Sequence, residues 1–211
     1  MRKTTVLVLA IATVACGMEA SAQGRGDRVP PPARECDQAV ANAGATANSA
    51  QFARAFQNAA LLECGERGAL ALAEALRKVP AVSDTLLLGS IFYTSSTTRH
   101  PAILRTALSL AGNRSLPLVP RIIGLQVAMR QMNSDVLLYG RFSQLAARPV
   151  GRFCQYDYVL HSGYNATFPM PPGFRAEIAA AMRRISGDAG DSAIIRDLAA
   201  CVLRNTEQPT Q

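Results

Sequence analysis

His161 and Ser162 stand side by side with Asp157 four positions earlier, so one short stretch holds the three residue types of a nucleophilic triad. Neighbouring side chains on a strand or turn point apart, which makes His161 a solvent-facing loop histidine before it is a general base. The competing reading is an envelope hydrolase working with Asp157 and His161 inside the aromatic stretch 139–174; a pocket enclosing both would favour it. Glu63, Glu66 and Glu74 offer carboxylates for acid–base work, but their spacing sets them on polar helix faces. No Gly-x-Ser-x-Gly elbow, His-Glu-x-x-His helix or Gly-rich phosphate loop occurs. With two histidines, His100 and His161, and no Cys-x-x-Cys, neither a metal nor a cofactor is expected. The expectation is a protein without catalysis.

The elements that must position these residues begin after an export signal. Arg2 and Lys3 precede an apolar run from Thr4 to Ala15, and Ala20-Ser21-Ala22 offers small residues for cleavage, so residues 1–22 read as a signal peptide. The run is too short to span a bilayer, and no transmembrane anchor is expected. A lipid anchor at Cys16 is the lesser alternative, because Thr13 stands where such anchors carry a Leu-like residue. Losing residues 1–22 lowers the formal net charge from +7 to +6. The mature cations are arginines apart from Lys78, and with export and this modest charge a nucleic-acid partner is not expected. The destination is the periplasm or the exterior. Cys36, Cys64, Cys154 and Cys201 remain, an even number that points to two disulfides with three possible pairings. Cys36–Cys64 with Cys154–Cys201 is favoured, since each would tie a terminal helix to its neighbour.

Residues 23–34 form a Gly- and Pro-rich tether whose Arg25-Gly26-Asp27 is read as chance. From 35 to 205 the pattern is helical. Phe52, Ala55, Phe56, Ala59 and Leu62 predict one helix closed by Cys64-Gly65, and Ala69, Leu72, Ala73 and Leu76 predict the next, stopped by Pro80. Ser83-Asp84 caps a helix carrying Leu87, Leu88, Ile91 and Phe92, and Thr94 to Thr98 reads as a polar loop. Pro101 opens a helical hairpin over 100–129, and Ser134-Asp135 caps a further helix that Pro149 ends. A last hairpin joins Phe174–Ile185 to Ser192–Leu203 through a turn at Gly187 to Asp191, and residues 206–211 form a frayed tail.

The hairpin at 100–129 recurs. A shift of about 75 residues lays Gly112 on Gly187, Asn113 on Asp188 and Arg121 on Arg196. The same shift lays Ile103 on Ile178, Leu110 on Ile185, Val119 on Ile194, Ile123 on Leu198 and Val127 on Val202. A shift of about 34 also lays Leu76 on Leu110 and Leu88 on Ile122. Hairpins of this length, with Asp188 before Ile195-Arg196 and Asn113 before Pro120-Arg121, resemble HEAT-like repeats of the armadillo type, in an exported bacterial version. The resemblance spans about residues 49–147 and 174–204, with Asn for Asp and Pro for the apolar residue in the first copy. It implies an all-α fold, a right-handed α–α superhelix in which Arg121 and Arg196 tie neighbouring repeats together. Each such hairpin leaves a face bare that stacking covers.

The segment 148–173 interrupts the repeats. Eight of the twelve Phe and Tyr residues fall in 139–174, and alternation from Cys154 to Leu160 predicts a short strand turning back at His161-Ser162-Gly163. Tyr156, Tyr158 and Tyr164 with Arg141, Arg148 and Arg152 would make a contact surface for a protein or glycan. A second candidate surface is basic. No acidic residue lies between Asp84 and Asp135, while Arg99, Arg105, Arg114, Arg121 and Arg130 do, so a ridge facing an acidic ligand is conceivable. The function expected is a non-catalytic binding or scaffolding module with a protein partner, in the cell envelope or outside the cell.

Overall fold

The computed structural model describes residues 33–57, 60–132 and 166–207. Helix α1 (Ala33–Gly44) buries Cys36, Ala39 and Ala43. Its end is held from a distance: the carbonyls of Ala43, Gly44 and Ala45 accept from the Lys78 ammonium at 3.0, 2.7 and 2.8 Å. Helix α2 (Ala50–Arg54) starts at Ser49, whose hydroxyl accepts from the Phe52 amide. The single helix expected over 52–62 is divided. After Arg54 the chain tightens into i→i+3 bonds at Ala55, Phe56 and Gln57, and α3 (Ala60–Glu63) begins anew. Phe52, Ala55 and Leu61 are nonetheless all buried, so the apolar spacing reported the core and not helical continuity. Gly65 takes the expected left-handed conformation at φ +59 and lets α4 (Gly65–Arg77) depart in a new direction.

Ala69, Leu72, Ala73 and Leu76 are buried along α4 as their spacing required. A 3₁₀ turn at Val79–Ala81 follows, with Pro80 inside it. The Asp84 carboxylate accepts from the amides of Leu86 and Leu87 and starts α5 (Thr85–Ser96). The polar loop expected at Thr94 to Thr98 is the last turn of α5 leading into strand β1 (Thr98–Arg99), and all five residues are buried. Two of the hydroxyls bond back along the chain, Thr94 to the Ser90 carbonyl and Thr97 to the Thr94 carbonyl.

Helices α6 (Pro101–Gly112) and α7 (Leu118–Met132) form the central hairpin, and α8 (Phe174–Gly187) and α9 (Ala193–Glu207) form the last. The two are alike down to their turns. Asn113 and Asp188 cap α6 and α8 with nearly the same backbone angles, and each donates its amide to the carbonyl three residues back. The Asn113 side chain accepts from the Ser115 amide just as Asp188 accepts from Gly190, one Asx turn repeated. Ile103 and Ile178, Leu110 and Ile185, Ile123 and Leu198, and Val127 and Val202 are buried in both copies.

Helix α7 is buried on every side from Pro120 to Met132, packing on α6, α9 and α5. Gly124 allows the approach to α6, because a Cβ there would stand 2.5 Å from the Ala107 carbonyl oxygen. Strand β2 (Ala166–Thr167) pairs in parallel with β1, Thr98 beside Ala166 and Arg99 beside Thr167. The fold is all-α in character, with this two-residue ladder as the described strand pairing. The strand expected over 154–160, and the helix after Ser134-Asp135, lie outside the described residues.

Candidate functional site

The three hairpin turns share one edge of the molecule. Arg77 and Pro80 at the end of α4 line a groove of about 300 Å³ with Leu110, Asn113 and Leu116 at the end of α6. On the other side, Arg114 in the α6–α7 turn reaches the α8–α9 turn, 2.7 Å from the Gly190 carbonyl and 3.2 Å from the Asp188 carboxylate. The second helices α5, α7 and α9 therefore start on the same side. At those starts Leu86 is 83% exposed, Leu118 39% and Val119 43%. These are large aliphatic side chains in water beside hairpin turns; Leu70 on α4 is in water as well, and together they are the large aliphatic positions in the described residues open to contact.

The basic stretch does not assemble as a ridge. The Arg121 side chain is buried: its Nε donates to the Ala111 carbonyl at 3.1 Å and its two terminal nitrogens grip the Asp191 carboxylate. Arg130 is buried and donates from Nε to the Ser96 carbonyl at 3.1 Å. Arg99 lies over the Phe174 ring, 5.0 Å from its centroid. Arg114 pairs with Asp188 while staying exposed, and Arg105 is exposed on α6. Five arginines spaced through two helices and their loops point in several directions, since the helical period scatters them.

Arg121 is the residue the resemblance assigned to tying repeats together, and it joins the start of α7 to the turn before α9. Its guanidinium, five donors in a rigid fork, matches the carboxylate two bonds at a time. That hydrogen bonding holds the Asp191 carboxyl below the usual carboxylate range, against the opposing effect of burial. Asp191 also accepts from the Ser192 amide at the head of α9. Its partner role was missed in the sequence because nothing local distinguishes it from Asp188. Arg196, the equivalent in the last copy, has a buried Nε without a hydrogen-bond partner.

A second concentration of polar groups is internal. The His100 imidazole is buried at the start of α6, where Nδ1 accepts from the Ala102 amide at 3.1 Å. The His100 amide donates to the Gln131 side chain on α7, which in turn donates to the Thr98 carbonyl. On the same α7, Gln126 is buried with neither amide atom bonded, and the hydroxyls of Ser95, Ser96 and Thr98 are likewise buried and unbonded. Burial holds the His100 imidazole below its ordinary value, partly offset by Glu66 and reinforced by Arg105.

Of the cysteines, Cys36 and Cys64 are bonded to each other, Cα atoms 5.4 Å apart, pinning α1 to the junction of α3 and α4. Cys201 is also disulfide-bonded. Cys154 lies outside the described residues, as do Arg141, Arg148, Arg152, Tyr156, Tyr158 and Tyr164, and with them Asp157 and His161. Among the described residues no group of three or more His, Cys, Asp or Glu side chains is placed to hold a metal ion, and no helix is long and apolar enough to cross a membrane. No known protein family matches this chain, and neither a curated protein nor a solved structure matches it.

Proposed function

We propose that this chain is an exported, non-catalytic binding or scaffolding module, its hairpins stacked as a HEAT-like right-handed superhelix that contacts a protein partner. The observation that carries the reading is the shared edge of hairpin turns, with Leu86, Leu118 and Val119 held in water at the starts of α5 and α7. A monomer gains nothing from presenting aliphatic side chains at such turns, whereas a protein interface gains by covering them. The buried Arg121–Asp191 pair between the α6–α7 and α8–α9 hairpins supports the stacked arrangement, since it stands where such folds place their linking arginine. The Cys36–Cys64 bond is in keeping with export to an oxidising compartment.

The test is capture from envelope extract by the mature chain and by two variants checked for folding by circular dichroism. One carries Leu86→Ser, Leu118→Ser and Val119→Ser. The other replaces residues 152–164, except Cys154, by a Gly-Ser linker, sparing the favoured partner of Cys201, and stops there, because Ala166 and Thr167 pair with β1 and the Phe168 amide donates to Arg99. A partner kept by the linker variant and lost by the serine variant places recognition on the hairpin edge. The reverse result moves recognition to the aromatic segment with Arg152, Tyr156, Tyr158 and Tyr164. Capture of nothing by the intact chain overturns the binding-module reading and calls for hydrolase assays directed at Asp157 and His161.

A further inference from the structure

We propose that His100 is a pH-sensitive latch that fastens strand β2 and the start of α6 to the core while its imidazole is neutral and releases them when it is protonated. Its position makes one ring serve several elements at once. Nδ1 is the side-chain cap of α6, accepting the Ala102 amide, so this nitrogen must be unprotonated. Nε2 therefore carries the proton in the neutral ring and points toward the Glu66 carboxylate on α4, 4.0 Å away. The ring meets Phe168 edge-to-face at 5.0 Å, immediately after β2. The Phe168 amide donates to the Arg99 carbonyl at 2.9 Å, one residue before His100. Gln131 on α7 fixes the His100 backbone amide at 3.0 Å, so the ring cannot adjust by sliding the chain.

A second proton has to go to Nδ1, where it meets the Ala102 N–H head-on. The cap is lost, a cation is left where the ring is 8% exposed, and the helix start carries a like-signed partial charge. Rotating the ring outward takes the cation into water and away from the helix start, and it abandons Phe168. The charged groups facing the imidazole are Glu66 from α4, which favours the cation, and Arg105 from its own helix, which opposes it. Just after β2 it meets the uncharged Phe168, and from α7 the uncharged Gln131 holds its backbone amide. Burial has the largest effect and favours the neutral ring, so the sign is fixed. The latch is fully closed above the unfolded histidine value near 6.5, and its contribution is lost as pH falls below that value toward the lowered folded one.

The test is amide hydrogen exchange at Ala102 and Phe168, expressed as protection factors, on the full mature chain between about pH 7 and pH 5. Protection at both amides is expected to fall together by about tenfold or more as the pH drops. In His100→Asn, which caps a helix without titrating, that fall should vanish. Glu66→Gln should move the midpoint to lower pH and Arg105→Gln to higher pH. Protection that ignores pH, or an equal fall in the Asn variant, overturns the latch. Should His100→Asn fail to fold, the two exposed-residue variants decide alone: midpoints moving in opposite directions support the latch, and midpoints that stay put or move together overturn it.

Discussion

Arg121 and Asp191 lie seventy positions apart and meet as a two-bond ion pair whose side chains are 4% and 5% exposed. Removing one partner leaves the other charged, buried and unpaired. Asp191→Asn or Arg121→Met should each lower unfolding stability by about 3–5 kcal/mol, read from urea denaturation. The joint replacement Arg121→Met with Asp191→Leu should recover most of that loss, because two apolar groups need no desolvation. The carboxyl of Asp191 is held low by the Arg121 hydrogen bonds, so the pair's contribution is present above the unfolded carboxylate value and disappears as pH falls through the lowered folded one. Asp191→Asn should show a correspondingly smaller loss of stability on acidification.

Lys78 has three donors and three carbonyl acceptors in Ala43, Gly44 and Ala45. Lys78→Met keeps the stem and removes the ammonium, leaving the end of α1 uncapped. A loss of about 1–3 kcal/mol is expected, with hydrogen exchange rising at the end of α1. Lys78→Arg should not restore the wild-type value, since a planar fork cannot address three converging carbonyls as a tetrahedral ammonium does.

Two glycines in helix interiors should respond oppositely to the same change. Gly124→Ala drives a Cβ to 2.5 Å from the Ala107 carbonyl oxygen and 2.8 Å from the Ala111 nitrogen, forcing α6 and α7 apart. It should cost about 1–3 kcal/mol. Gly89→Ala meets nothing within 4 Å and should raise stability by about 0.5–1 kcal/mol through helix propensity alone. Thermal denaturation of the two variants beside the parent reads both signs; equal shifts would refute the close-packed α6–α7 contact.

The Cys36–Cys64 bond closes a loop of separation 28, and replacing both cysteines by alanine should lower stability by about 3–4 kcal/mol. Peptide mapping without reduction should recover Cys36 joined to Cys64, and Cys201 joined to a second peptide, for which the sequence favours that of Cys154.

Much of this architecture was legible in the sequence, because it rests on local chemistry. The Asp84 cap, the Gly65 turn and the start of α6 at Pro101 follow from residues within one turn of each other. The recurrence at about 75 residues was legible as well, since each hairpin must bury the same positions and close with the same Asx turn. The division of the expected helix 52–62 was not, because two short helices on one core leave the same apolar spacing as one long helix. Nor was the burial of Thr94 to Thr98, where the Thr94 and Thr97 hydroxyls bond back along the chain while those of Ser95, Ser96 and Thr98 are buried unbonded, so local polarity did not report exposure.

The sequence by itself determined the cysteine count, the helical hairpins and their repetition, all properties of composition and short-range period. Only the tertiary structure decided what the arginines do and what His100 touches. Arg121 and Arg130 read as members of a basic stretch, yet both are buried, and only folding brings Asp191 to one and the Ser96 carbonyl to the other. A charge run specifies how many cations there are. Their directions depend on helix phase, and their partners lie tens of residues away, where no local pattern records them.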